Sequence, residues 1–153
     1  MSNTAIWNAA LAWAAAFGAE LDSLAAGSCA VGSVVIDNTT NLYTDGWVSL
    51  SLPTLATGTG TPYVGVYLLP LNQDGTTYGD GTVSGTVAPS VGYWVDNITF
   101  APSLASGTRV GSGYIGQLPP TKFVLAVVNQ MGNAFAASGN TISFASDKLN
   151  LNG

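Results

Sequence analysis

The sequence contains no histidine, one cysteine and only three basic residues among its 153. Without histidine, neither a serine–histidine–aspartate triad nor an imidazole-bound zinc site can form. The single Cys29 cannot form an internal disulfide or a cysteine-cluster metal site. Three basic side chains and a net charge of −5 cannot neutralise the phosphates that a nucleic acid presents. We therefore predict no metal, no cofactor and no nucleic-acid partner.

Charge of either sign is also scarce, at 7% of the sequence against roughly 25% in ordinary soluble domains. Hydrophobic residues reach a normal 47%, so Thr, Ser, Asn and Gly stand where charges are usually found. Because interface cores are depleted in charge, this composition favours a subunit whose surface contacts copies of itself or a partner. The alternative interpretation is a Thr/Ser/Asn-coated β domain from an extracellular setting.

The first 27 residues differ from the rest of the chain and predict an N-terminal α-helix. Residues 2–24 are rich in alanine, and their apolar side chains recur every three or four positions. Such a helix either packs on the β domain or docks on a neighbouring subunit. In the docking hypothesis, Trp7, Trp13 and Phe17 are the aromatic anchors.

This segment does not predict a secretory signal or a membrane span. No Lys or Arg precedes Arg109, whereas a secretory signal begins with a positively charged region. The uncharged run ends at Glu20 and alanine is its commonest residue, so it lacks the about 20 strongly apolar residues of a spanning helix. We predict no membrane partner.

Residues 28–153 form a series of short apolar runs separated by Gly, Pro, Asn, Asp and Thr clusters. The candidate strands are 30–36, 47–52, 63–69, 93–100, 109–115, 122–130 and 140–145. Several alternate with period two, with Val48, Leu50 and Leu52 on one face and Phe123, Leu125 and Val127 on another. The run 123–128 is apolar on both faces and predicts a central strand. Together these features predict a mostly-β domain, an antiparallel β-sandwich of jelly-roll type.

A polar loop at residues 72–81 contains three candidate contact residues, Asp74, Tyr78 and Asp80. Two carboxylates in a glycine-rich loop are hard oxygen ligands of the kind that Ca²⁺ prefers. The alternating spacing of a calcium loop is missing, however, and both aspartates precede glycine, as turns require. We interpret the loop as a turn.

Two further kinds of site are considered. Glycoside hydrolysis needs two carboxylates across a cleft, and sequence alone pairs none of the aspartates. Exposed aromatic rings can stack on neutral sugars, but aromatics also fill the cores of sandwiches. We place Tyr67 and Trp94 in the core and leave Tyr43 and Tyr78 open.

Seven segments of the chain follow one another in a characteristic order: 20–27, 36–42, 64–81, 93–95, 122–125, 129–132 and 136–141. Their order resembles that of a family of small tailed-bacteriophage virion proteins. The segments are turns and strands, and the resemblance covers most of the chain from Glu20 onward. It implies a β-sandwich component of the particle, most similar to a capsid decoration (cement) protein that binds the outer surface of the shell.

The leading hypothesis is a non-enzymatic virion protein on the capsid surface. Its predicted partners are the major capsid protein or other virion subunits, and it is expected to form a homo-oligomer. The alternative is a carbohydrate-binding fibre or adhesin module of a phage particle. A hydrolase that uses two aspartates is the third hypothesis.

Overall fold

The computed structural model describes residues 4–6, 12–78, 87–90, 93–147 and 150–152. Within these ranges the chain forms strands joined by turns, and no α-helix occurs. The strands are β1 (Thr4–Ile6), β2 (Ala14–Ala15), β3 (Cys29–Val31), β4 (Ile36–Asp37), β5 (Asp45–Leu55), β6 (Tyr63–Pro70), β7 (Trp94–Thr99), β8 (Gly107–Gly116), β9 (Lys122–Gln130), β10 (Thr141–Asp147) and β11 (Asn150–Asn152).

Most of the strands belong to two sheets. The first sheet has the order β2-β10-β5-β8, and the second has the order β3-β9-β6-β7, with β4 also paired to β9. Strands β1 and β11 pair with each other as a two-stranded ribbon. Every one of these pairs is antiparallel. The prediction of a mostly-β, antiparallel chain is therefore confirmed.

One hydrophobic core is built from the facing sides of the two sheets. The first sheet contributes Val48, Leu50, Leu52, Ile115, Ile142 and Phe144, and the second contributes Val64, Val66, Ile98, Phe123, Leu125 and Val127. Successive side chains of a strand point to opposite faces, so residues two apart share one face. The period-two patterns predicted for β5 and β9 are both confirmed, and burial of these side chains is the main favourable contribution to folding.

Strand β9 is buried on both faces, as its apolar run predicted. It lies between β3 and β6, with β4 continuing the β3 side. Its outward residues Val124, Ala126 and Val128 form a second cluster with Cys29, Leu69 and Leu71. The second sheet therefore buries apolar side chains on its outer face as well as its inner face.

The predicted N-terminal helix is absent from residues 12–24, all of which the structure describes. Ala14 and Ala15 instead form β2, opposite Phe144 and Ser143 of β10. The next residue, Ala16, continues the extended chain and donates its amide to the carbonyl of Ile142 at 2.9 Å. Pairing with a strand about 130 residues away has outweighed the helical preference of alanine, because propensity is a weak prior against tertiary contacts.

The helical spacing of apolar residues in this segment has a different origin. Phe17 and Leu21 both enter the core, but a turn brings them there. The turn includes an Asp22 amide that donates to the Ala19 carbonyl at 3.0 Å, and Ser23 follows with a left-handed φ of 59°. Positions four apart can reach the same core from a turn as well as from a helix.

The two sheets approach closely where β7 and β8 run side by side. A Cβ atom at Gly111 would collide with Cγ2 of Ile98, and one at Gly113 would collide with the carboxylate of Asp96. Across the same contact, the Tyr114 amide donates to Asp96 Oδ2 at 3.1 Å. The glycines of β8 thus allow the second sheet to close this side of the core.

Candidate functional site

The outward side of the first sheet is lined with small polar residues. Ser143 of β10, Ser49 of β5 and Ser112 of β8 lie directly opposite one another, and Ala15 of β2 extends the row. These residues alternate with the core-facing residues of the same strands, so they point away from the core. The result is a row of short, uncharged side chains on the outer face of the sheet.

An aromatic pair projects from the same face. Trp47 of β5 lies opposite Tyr114 of β8, with ring centroids 5.0 Å apart and ring planes tilted by 59°. Trp47 is 39% exposed and Tyr114 is 47% exposed. The Tyr114 hydroxyl also donates to the carboxylate of Asp45, which fixes the orientation of its ring.

The charges at this end of the face are held in defined hydrogen bonds. Hydrogen bonds from the hydroxyls of Thr44 and Tyr114 lower the pKa of Asp45. The bond between Tyr114 and Asp45 also raises the pKa of Tyr114. Asp147 lies opposite Asp45 in the register of β10 and β5. Both carboxylates lie at one end of the sheet, and the outward-facing rows that contain Trp47, Ser49 and Ser51 are uncharged.

We call this surface the open face and define it by Trp47, Ser49, Ser51, Val110, Ser112 and Tyr114. Val110 is 67% exposed, so the face has a second apolar point at the end away from the aromatic pair. Sequence reasoning did not single out this surface. The alternation Trp47-Val48-Ser49-Leu50-Ser51 is the signal that could have found it, because it separates a core side from a serine side.

A cleft of about 450 Å³ lies at the edge of the molecule next to the open face. It is lined by Leu68, Pro70, Tyr93, Trp94, Val95, Gly116, Gln117 and Pro119, from the ends of β6 and β8, the start of β7 and the chain after β8. Gly116 pairs with Asp45, two residues before Trp47 of the open face, so the two surfaces adjoin.

A β-bulge in β7 turns Trp94 toward this cleft. Val66 pairs with Asp96 and Tyr67 pairs with Trp94, which leaves Val95 as an extra residue. Val95 packs against the core, and Trp94 is 47% exposed. Bulges reverse the alternation of a strand and often re-aim a side chain beside a functional site. The prediction that Trp94 lies in the core is therefore wrong.

The loop that contains Asp74 is a turn, as the sequence indicated. Asp74 Oδ1 accepts hydrogen bonds from the amides of Thr76 and Thr77, both at 2.9 Å, and Oδ2 accepts one from the Thr77 hydroxyl at 2.6 Å. These hydrogen bonds lower the pKa of Asp74 to about 2, and the bond from the Thr77 hydroxyl contributes most to the change. Asp80, the second candidate in this loop, lies outside the described residues.

Tyr78 is placed against the second sheet. Its backbone bridges to Leu71, and its half-buried ring packs with Tyr67 and Tyr93 against the outer cluster of that sheet. Tyr43, also left open from sequence, is partly buried against the main core. These tyrosines cover apolar surface, whereas the rings of Trp47, Trp94 and Tyr114 are themselves exposed to solvent.

The three predicted aromatic anchors of the N-terminal segment have different positions. Trp13 is 46% exposed, Phe17 is buried in the core, and Trp7 lies outside the described residues. A smaller groove of about 280 Å³ begins near Trp13 and is lined by Ala12, Ala14, Ala15, Val34, Val35, Ile36, Asp37, Asn41, Tyr43, Phe144 and Ser146.

The remaining acidic side chains do not gather into a metal centre. Among the described residues there is no group of three or more His, Cys, Asp or Glu side chains placed to hold a metal ion. Asp37 forms an exposed ion pair with Lys122 at 3.6 Å, and Asp96 is engaged by the Tyr114 amide. Burial raises the pKa of the Cys29 thiol to about 11, so Cys29 is a neutral core residue at neutral pH.

No protein-family model matches the sequence, and no curated protein matches it. The described ranges also contain no helix with the length and apolar character needed to cross a membrane.

Proposed function

We propose that this chain is a non-enzymatic structural protein of a tailed-bacteriophage particle, which decorates or cements the outside of the capsid. The observation that carries the proposal is the open face, which is built from uncharged residues around an exposed aromatic pair. The resemblance of the chain from Glu20 onward to small virion proteins supplies the setting. The proposed partner is the major capsid protein.

The chemistry of the open face suits a protein–protein contact. Charged residues are depleted in interface cores, whereas Tyr and Trp are enriched there and supply most hot spots. Trp47 and Tyr114 already touch each other, and the Asp45 carboxylate holds the Tyr114 hydroxyl, so little side-chain freedom is lost on docking. The flanking serines leave space for a partner backbone to approach closely.

The order of the strands supports a jelly-roll fold for the proposed decoration protein. From β2 to β10 the chain crosses repeatedly between the sheets, with β2, β5, β8 and β10 in the first and β3, β4, β6, β7 and β9 in the second. Double-sheet jelly rolls of eight strands are a common architecture of viral capsid proteins and of lectins. We include in the proposal that the chain forms a homo-oligomer on the shell, as cement proteins often do.

The test is incorporation into particles of the phage that encodes the chain. The Trp47→Ala, Tyr114→Ala double variant should bind capsids that lack the protein at least about tenfold more weakly than the original chain, because it removes two hot-spot side chains. Co-sedimentation with purified capsids and mass spectrometry of the pellets measure occupancy.

Trp94→Ala is the matched control, since it removes an equally exposed tryptophan that lies off the open face. It should reach full occupancy. Equal occupancy of the double variant and the original chain would remove the open face as the docking surface. Failure of the original chain to bind any particle component would refute the structural role.

A further inference from the structure

We infer that the cleft beside Trp94 binds a neutral saccharide, with the indole of Trp94 as the surface on which a sugar ring stacks. The inference does not depend on capsid docking, because Trp94 projects from β7 of the second sheet and the open face belongs to the first. It gives the chain a ligand site separate from its proposed shell contact.

The first observation is that the fold places the Trp94 ring at the surface and fixes it there. Without the bulge at Val95, the alternation of β7 would direct the indole into the core. The indole nitrogen donates to Asn97 Oδ1 at 3.0 Å, which holds the ring in one orientation. A tryptophan kept half-exposed forgoes stabilisation that burial would provide, and its exposed ring is available to a ligand.

The second observation is a strained glutamine across the cleft. Gln117 follows β8 with a φ of 58°, in the left-handed region that favours glycine, and its side chain is exposed. Such conformations cost about 1 kcal/mol or more in non-glycine residues and concentrate at functional sites. The glutamine amide offers two donors and an acceptor, the groups that pair with sugar hydroxyls.

The third observation is the chemistry of the lining, which defines the ligand class. None of the described residues that line the cleft is charged, so they offer no counterion for a phosphate, an acidic sugar or a cationic peptide. Aromatic and proline surfaces lie beside one neutral amide, matching the apolar faces and equatorial hydroxyls of a neutral sugar. The volume of about 450 Å³ is within the ordinary range of small-molecule sites.

The test is isothermal titration calorimetry, which measures the affinity of the full chain for defined probes. The probes are neutral oligomers of glucose, galactose, mannose and N-acetylglucosamine, a sialylated oligosaccharide, and a proline-rich peptide, since aromatic-lined grooves also bind such peptides. At least one neutral oligomer should bind. Trp94→Ala should weaken that binding by at least about tenfold, because it removes the stacking surface.

Two matched variants keep the test decisive if Trp94→Ala folds poorly. Trp94→Tyr retains an aromatic surface and should keep most of the binding. Gln117→Gly relieves the left-handed strain, so it should weaken binding while leaving the unfolding midpoint unchanged or higher. Trp47→Ala, on the open face, should bind sugar like the original chain.

Three results would overturn the saccharide site. They are the absence of binding to every neutral oligomer at millimolar concentration, equal affinity of Trp94→Ala and the original chain, and binding of the proline-rich peptide in place of sugar. Because Trp94→Ala is also the variant expected to occupy capsids fully, loss of sugar binding and loss of shell binding are measured separately.

Discussion

The outer faces of the two sheets differ in what lies on them. On the second sheet, Val124, Ala126 and Val128 are buried beneath a layer that includes Tyr78 and Tyr93. On the first sheet, the corresponding positions include Ser49, Ser51 and Ser112, and Trp47, Tyr114 and Val110 are exposed. The chain thus has one face that folding requires to be covered and one that folding leaves open.

The difference separates two uses of aromatic side chains. Tyr67, Tyr78 and Tyr93 pack against apolar residues, so their contribution is to stability. Trp47 and Tyr114 contact each other above a row of serines, where the sheet has little apolar surface to protect. Their exposure is therefore available for binding a partner, and the comparison can be tested by changing matched residues on the two faces.

The largest effect is expected from placing a charge on each face. Ala126→Asp would bury a carboxylate without a partner in the outer cluster of the second sheet. It should lower the free energy of unfolding by at least about 3 kcal/mol. Ser112→Asp places the same carboxylate on the open face and should change it by less than about 1 kcal/mol. Denaturant unfolding of both variants measures the contrast, and equal losses would contradict it.

A second effect is expected where the sheets meet at β7 and β8. Gly111→Ala introduces a Cβ that collides with Ile98, so the edge of the open face must shift away from the second sheet. Overpacking of this kind should cost about 1–3 kcal/mol. Gly107→Ala is the control on the same strand, because its nearest neighbour is the flexible end of Arg109 at 3.3 Å. If thermal unfolding shows equal costs, close approach is not the reason for glycine at position 111.

The inner architecture was the part that the sequence predicted well. Period-two alternation in β5 separates Val48 and Leu50 from Trp47 and Ser49, and continuous apolarity in β9 marks a strand buried on both sides. Both signals are local, because the pattern of apolar residues within a strand indicates which of its faces are buried. The candidate strand 30–36 was divided, however, into β3 and β4, with residues 32–35 outside either strand.

The failures concern contacts between distant parts of the chain. Residues 14–15 pair with β10, and nothing within an alanine-rich segment indicates such a partner. The exposure of Trp94 depends on one extra residue in the pairing of β7 with β6. Likewise, Trp47 meets Tyr114 only through the register of β5 and β8. Alternation identifies which side of a strand is polar, but the register decides which side chains on that side come together.

A smaller effect should separate the two classes of tyrosine. Tyr78→Ala uncovers part of the outer cluster of the second sheet and should lower the free energy of unfolding by about 1–2 kcal/mol. Tyr114→Ala loses an exposed ring contact and a hydrogen bond to Asp45, and should cost less than about 1 kcal/mol. In capsid co-sedimentation the order should reverse, with Tyr114→Ala the more impaired. If Tyr78→Ala is the more impaired variant in both measurements, Tyr114 is not a docking residue.

The smallest effect concerns the turn that leads to Tyr78. Hydrogen bonds from Thr77 and Thr76 lower the pKa of Asp74 to about 2, below the value of about 3.9 for an unperturbed aspartate. The ionised carboxylate therefore adds stability above the unfolded-state pKa, and this stability is lost as the pH falls toward 2. Asp74→Ala should lack this added stability. The unfolding free energies of Asp74→Ala and the original chain should therefore differ at neutral pH and converge in acid. Thr77→Val removes the principal donor and should raise the pKa of Asp74 in an NMR titration. If the unfolding free energies of the original chain and Asp74→Ala change with pH in parallel, the charge of Asp74 does not stabilise the turn.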